Sequence, residues 1–366
     1  MILLHGIICK CCLLLCENGM RIKMKKKIAI IGTGANGSCV SADLISNGLD
    51  VKMIDQWPEH VEKMRKDGLK IEMPNRTLEV NVDAYHLCDV ATFTEKFDVV
   101  LVFVKAYDTV WTCELIKPYL ADDGILVGVQ NCMMAEQISE VVGPHRTIGC
   151  VAELSSELFD PGLVKRNTPP EGTWFGLGAL TSEMKSRIED VEEVLEFAGK
   201  VGRSDAILSA KWMKLIVNAM GMGIKAIGDL RPAEAFEMDG MRDLMLRAGE
   251  EALKVGEGLG YKLEPIMGLT QEEINTSNRV QELLLDTITK HVGPTALNTV
   301  LQDHRKGRLS EVDLINGWVS EGGQKLGIET PINDKIVEVT KRIYAGEVTS
   351  SKNLVEDVIS SLKGKI

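Results

Sequence analysis

A chain that carries KIAIIGTGANGS at residues 27–38 has few ways to begin folding. Ile28-Ala29-Ile30-Ile31 is a short apolar run of the kind buried in a parallel sheet. It leads directly into Gly32, Gly34 and Gly37 in the G-x-G-x-x-G spacing, and Cys39 to Asn47 then read as helix. Each glycine has a steric reason. Gly32 permits the tight turn out of the strand, Gly34 lets backbone approach a pyrophosphate, and Gly37 lets helix and strand pack closely. The helix start adds free N–H groups and the positive end of its dipole. The loop Gly32, Thr33, Gly34, Ala35, Asn36, Gly37 is therefore expected to cradle a dinucleotide.

The glycine spacing alone is weak; its surroundings make it specific. A second apolar strand, Val51 to Ile54, ends in Asp55, roughly 20 residues past the first glycine, where a carboxylate accepts hydrogen bonds from an adenosine ribose. The alternative is a glycine turn in an ordinary α/β protein, with Asp55 a polar strand end. Trp57 either covers the adenine or packs where the next helix begins.

A length of 366 residues points to two domains. Apolar residues at 45% and charged residues at 26% are those of a globular protein, and a net charge of −11 argues against nucleic-acid or anionic-membrane partners. Of nine cysteines, Cys9, Cys11, Cys12 and Cys16 cluster near the start, and Cys39, Cys88, Cys113, Cys132 and Cys150 are scattered. No spacing suits a metal, so none is expected, and free thiols fit a reducing cytoplasm. Residues 1–26 contain an apolar run too short to span a bilayer, with positive charges mostly after it. With Met20 and Met24 just before the first strand, this segment reads as a tail or an upstream start, outside the fold. Its cysteine cluster leaves metal binding or acylation open.

Beyond Asp55 the chain alternates. Pro58 can open a helix to about Lys66, and Leu69–Ile71 and Leu78–Val82 read as short strands. Asp98–Lys105, Ile125–Val129 and Thr147–Ala152 read as buried strands, with helices at about 108–119 and 133–142. Leu163–Arg166 and Thr173–Leu177 look like a late antiparallel pair, followed by a helix over 181–200. From Ala206 strand signals stop, and helices are expected at about 207–226, 234–258, 271–291, 294–303, 309–325, 331–345 and 352–363. The expected domains are a dinucleotide-binding α/β domain over 27–203, with a parallel-rich sheet, and an all-helical domain over 204–366.

Several polar residues stand where chemistry is done. Lys105 and Asn131 are expected at adjacent strand ends on the cofactor side, where they can reach a ribose, a carboxamide or a substrate oxygen. A snorkelling lysine and a turn asparagine are the plainer alternatives. Lys214 and Asn218 share one face of an otherwise apolar helix, so they need partners or a cleft, unless they form a narrow solvated stripe. A lysine in a partly desolvated cleft can give up a proton near neutral pH. Glu311, near a helix start, by itself reads as a dipole partner.

Taken together, GTGANGS, VFVKAYDT around Lys105, VQN at Asn131, KWMKLIVN at Lys214 and Asn218, and LQD followed by SEVDLINGWV and GIETPIN resemble the ketopantoate reductase family across residues 27–345. The resemblance implies a Rossmann domain followed by a helical domain of the 6-phosphogluconate dehydrogenase type, and NAD(P)H-dependent reduction of a 2-oxo acid. It implies that Lys214 is the general acid, that Glu311 is its partner and holds a substrate hydroxyl, and that Asn218 binds substrate. Lys105 and Asn131 would bridge cofactor and substrate, and Thr299 would bind the substrate carboxylate. A homodimer through the helical domain is expected from related folds, although Met238, Met241 and Met245 read as core.

The sequence departs from the family at two substrate positions and one cofactor position. Met222 stands where a second asparagine is usual, and Cys132 follows Asn131 in place of glycine. Both point to a bulkier or more apolar substrate than ketopantoate. Asp55-Gln56-Trp57 replaces the arginine that holds a 2′-phosphate in many members, so NAD(H) is expected over NADP(H). Three readings stay open: a 2-oxo or 2-hydroxy acid oxidoreductase, an enzyme for another ketone, imine or hydroxy or amino compound, and a non-catalytic nucleotide sensor.

Overall fold

The computed structural model describes residues 26–291 and 293–362. The tail expectation falls, except for Lys26, outside the described residues. The strands are β1 (Lys27–Ile31), β2 (Asp50–Asp55), β3 (Leu69–Glu72), β4 (Thr77–Val80), β5 (Asp83–His86), β6 (Phe97–Val102), β7 (Leu120–Gly128), β8 (Thr147–Glu153), β9 (Ser156–Asp160), β10 (Leu163–Arg166), β11 (Trp174–Ala179) and β12 (Lys200–Arg203). One sheet has the order β12-β11-β8-β7-β6-β1-β2-β5, and a smaller one β4-β3-β10-β9. Strands β5, β2, β1, β6, β7 and β8 are mutually parallel; β11 runs antiparallel to β8 and parallel to β12. Ile28, Ile30, Val99, Leu101, Ile125 and Val127 pack on one face, and Ala29, Ile31, Val100, Val102 and Leu126 on the other. That double burial is why these strands read as unbroken apolar runs. The chain leaves β1 for β2 on one side and later fills β6 on the other, which opens a crevice at the carboxyl ends.

The small sheet departs from expectation. Leu163–Arg166 and Thr173–Leu177 do not pair with each other: β10 lies between β3 and β9, whereas β11 lies between β8 and β12. Pro169 and Pro170 in the connection lead into a short 3₁₀ turn, Pro170–Gly172, and no hairpin forms. Arg166 is buried there, with its guanidinium 2.5 Å from Asp43 and bonded to the carbonyls of Thr168 and Ala198. Strands β5, β9 and β12 carry little pattern; β5 and β12 are the short outer strands of the large sheet.

Helices Ile207–Ile227, Pro232–Phe236, Met241–Gly258, Gln271–Thr276, Val280–His291, Thr299–Arg305, Val312–Leu326, Pro331–Tyr344 and Lys352–Ser361 complete the chain. The expected 234–258 helix is two, because Gly240 takes a left-handed φ of 77° between them. The 271–291 helix is broken where Ser277 turns extended. Ile207–Ile227 is buried along nearly its whole length and packs on Met241–Gly258, which crosses it closely. Trp212 Nε1 donates to the Ala252 carbonyl at 3.0 Å, and a Cβ on Gly256 would lie 2.0 Å from that nitrogen. Buried Asn316 donates to the Ala219 carbonyl and to Asn333 Oδ1, tying three helices together. Met241 and Met245 are core. Among the described residues, no helix is long and apolar enough to cross a membrane, and the cysteines are free thiols.

The glycine loop is fastened from below by His60, in the helix Pro58–Asp67. The Gly162 N–H donates to His60 Nδ1 at 2.9 Å, so the ring proton is assigned to Nε2, which donates to the Thr33 carbonyl at 3.0 Å. Ser38 Oγ donates to the same carbonyl at 2.6 Å. This network requires a neutral imidazole, and burial pushes the His60 pKa below its ordinary value.

Two outcomes follow. Gly256→Ala should lower stability by about 1–3 kcal/mol through overpacking, read as the urea midpoint; an unchanged midpoint would mean that the two helices part freely. The His60 contribution is complete above the unfolded value of about 6.5 and is lost as pH falls from there through the depressed folded value. Melting temperature should therefore drop between about pH 7 and pH 5 more steeply in the native protein than in His60→Gln. Equal slopes would contradict this role.

Candidate active site

A cavity of about 580 Å³ runs along the carboxyl ends of the parallel strands, between the sheet and the helices. Its floor is the glycine loop. Gly32 has φ 86°, and a Cβ there would lie 2.4 Å from the Val104 nitrogen; on Gly37 it would lie 2.5 Å from the Gly32 carbonyl oxygen. At Gly34 a Cβ would meet nothing within 4 Å, so the space above it is open. Gly34 caps the helix Ala35–Ser46 without a side-chain bond, which leaves the first N–H groups to a ligand. These features fit a dinucleotide. Ala35 and Asn36 line the cavity, whereas Thr33 is fully buried beneath it and donates to Asp55 Oδ2 at 3.4 Å. Asp55 Oδ1 accepts from the Trp57 N–H at 2.8 Å; burial pushes its carboxyl pKa up against that bond. Lys306 and Arg308 form part of the facing wall. Burial, helped by Arg308, pulls the Lys306 ammonium down to about 8.

Lys105 and Asn131 stand slightly beyond their strands, since β6 ends at Val102 and β7 at Gly128. Lys105 reaches across to the helical half, where its Nζ is 2.6 Å from Asp303 and 3.3 Å from Glu311. The Ala106 N–H donates to the other Glu311 oxygen at 2.9 Å. Burial opposes the Lys105 charge, but Glu311 and Asp303 together hold its ammonium pKa above the ordinary lysine value.

Glu311 therefore partners Lys105 and not Lys214, which corrects the expected pairing. It occupies the N-cap position of Val312–Leu326 yet makes no side-chain cap bond, because its carboxylate is turned to the sheet. Lys214 is buried and ion-paired with Glu153, the last residue of β8. Sequence reading missed Glu153, although a polar residue ending a parallel strand beside those of Lys105 and Asn131 was the available signal.

A second cavity, of about 110 Å³, opens from the first and shares Asn36, Asn131, Ser156 and Thr299 with it. Lys214, Glu153, Asn218 and Met222 line it. Asn218 Nδ2 donates to the Asn131 carbonyl at 3.5 Å, and Thr299 Oγ1 contacts Met222 Sδ at 3.6 Å. Asn36 accepts from Ser156 Oγ at 2.6 Å, and Lys211 Nζ donates to the Gln130 and Cys150 carbonyls, fastening the segment before Asn131. The structure thus brings Lys214, Asn218, Met222, Thr299 and Asn131 to one cavity, and Lys105, Glu311, Asp55 and the glycine loop to the other. No group of side chains suited to a metal occurs among the described residues.

Residues 28–179 match the family described as ketopantoate reductase PanE/ApbA, and residues 206–344 match its C-terminal part. A 2-dehydropantoate 2-reductase of Pyrococcus horikoshii is 28% identical over 315 residues, covering 84% of this chain and 94% of that protein. One from Archaeoglobus fulgidus is 26% identical over 328 residues, covering 88% and 99%. A ternary structure of D-mandelate dehydrogenase with NADH and anilino(oxo)acetate superposes with a TM-score of 0.77 at 23% identity, covering 87% of this chain and 99% of that one. A PanE/ApbA family ketopantoate reductase from Ralstonia eutropha gives 0.73 at 24% identity, covering 88% and 99%. The structural likenesses speak to the fold, and the sequence match spans both halves of the cleft. The chain belongs to the ketopantoate reductase PanE/ApbA family, and is a nicotinamide-dependent oxidoreductase acting on CH–OH groups.

Proposed function

We propose that this protein interconverts a 2-oxo acid and its 2-hydroxy acid, using NAD(H) in preference to NADP(H). The observation that carries this reading is the buried Lys214–Glu153 pair at the head of the second cavity, beside Asn131 and Asn218. The bound nicotinamide supplies or takes the hydride. Everything else falls to the protein. A carbonyl oxygen gains negative charge as its carbon is reduced, and the Lys214 ammonium stabilises that charge and transfers its proton to the oxygen. Glu153 pairs with the ammonium and orients it. Asn218 and Asn131, bonded to each other, offer amide groups to the substrate, and Thr299 offers a hydroxyl to its carboxylate. Lys105, held by Glu311 and Asp303, stands on the cofactor side of Asn131. Lys306 and Arg308 present positive charge to a diphosphate from the opposite wall.

Met222 bears on the substrate. Its thioether, a weak acceptor, lines the cavity against Thr299. This favours a 2-oxo acid with an apolar group at that position over ketopantoate. For the cofactor, the Asp55 carboxylate suits a ribose diol and repels a 2′-phosphate.

Replacing Lys214 by alanine should lower kcat about 10²–10⁴-fold while NADH still binds. Undiminished turnover would remove Lys214 as the acid, and lost NADH binding would mean a wider structural role. Asp55→Asn should shift the ratio of kcat/KM values toward NADPH by about tenfold, the equivalent of roughly 1.4 kcal/mol of relieved repulsion. A native enzyme that already prefers NADPH would contradict the reading of Asp55.

A further inference from the structure

Lys225 has no part in the reading above, yet it lines the same second cavity. It lies on the face of the Ile207–Ile227 helix that carries Lys214 and Asn218. Its side chain folds back along the helix. A Cβ on Gly221 would lie 3.3 Å from Lys225 Nζ and 3.3 Å from the terminal methyl of Met245, so the ammonium stands over Gly221 in space that any larger residue would crowd. That position is roughly 10 Å along the helix axis from Lys214, at about 1.5 Å per residue. Met245 stands beside it, and Phe236, Leu285 and Ile288 also line the cavity.

Among the described residues, Lys225 donates no hydrogen bond, and no carboxylate lies within ion-pair distance of it. It differs in this from Lys105 and Lys214, each held by an acid. A half-buried cation beside apolar groups, with no acid paired to it, favours an anion that reaches it. Burial alone brings its ammonium down to about 8, so it still carries charge at neutral pH. The cavity thus has a cation at each end, with Asn218 and Met222 on the helix face between them.

We infer that Lys225 receives a second anionic group of the substrate, so that the cavity selects 2-oxo acids whose far end carries a carboxylate. This rests on the proposed reduction of a 2-oxo acid and deepens it by naming the substrate class. The carbonyl lies at Lys214, the chain runs past Met222, and the distal carboxylate meets Lys225 over Gly221. An apolar middle with a charged end also accounts for a thioether at position 222.

The test compares 2-oxoadipate with 2-oxohexanoate, which differ only in the terminal carboxylate. Binding of each is measured by calorimetry on the full-length enzyme saturated with oxidised NAD, which cannot reduce either probe. The diacid should bind roughly tenfold to a hundredfold more tightly. Lys225→Met should bring that ratio close to one, and Lys225→Arg should keep most of it. Equal binding, a preference for the monoacid, a ratio that survives Lys225→Met, or no binding of either probe would overturn the inference. Tight diacid binding without NADH-dependent reduction would uphold Lys225 and sink the proposed reaction, whereas reduction of the monoacid alone would do the reverse.

Discussion

The ion cluster of Lys105, Asp303 and Glu311 joins the two halves of this molecule. A lysine from the sheet side lies between two buried carboxylates from the helical side, and Glu311 also takes the Ala106 N–H. Removing one member of such a cluster leaves an uncompensated buried charge, at a cost of about 3–5 kcal/mol. The geometry extends from there to the cofactor loop. Lys105 follows Val104, whose nitrogen is the near neighbour of Gly32, and Phe103 N–H bonds to the Ile31 carbonyl at 2.8 Å. The helical half is thus registered against the glycine loop through a few covalent bonds and one ion cluster.

The same logic places the chemistry. Parallel strands end along one edge, so residues at or just past the ends of β1, β2, β6, β7 and β8 share a crevice, and those residues are the glycine loop, Asp55, Lys105, Asn131 and Glu153. The helical half contributes an almost wholly buried helix whose polar side chains face that edge. Lys214 meets Glu153 there because the strand end and the helix face converge. Neither half alone forms the second cavity, whose walls come from both.

What could be read from the sequence follows from what is local. The glycine spacing, the apolar strands and the Lys214–Asn218 pair are encoded within a few turns or one strand, and their placement follows from periodicity. The partner of Glu311 is not local: it sits at a helix start in sequence, but its carboxylate is claimed by Lys105 from the other half. Glu153 and Lys225 carry no motif, and their meaning depends on which helix or cavity covers them. Asn316, read only as part of a family stretch, is a buried knot among three helices. The pairing of β10 and β11 is likewise undetermined by their own residues; Arg166 and the two prolines after it send them to different sheets.

The measurement closest to the central claim is the loss of the reduced-nicotinamide absorbance band when the unmodified protein is mixed with NADH or NADPH and a series of 2-oxo acids that includes ketopantoate. The account predicts consumption of NADH ahead of NADPH, with at least one 2-oxo acid other than ketopantoate as the better substrate. NADH that binds but is oxidised by no 2-oxo acid, together with no reduction of NAD by any of the matching 2-hydroxy acids, would contradict it.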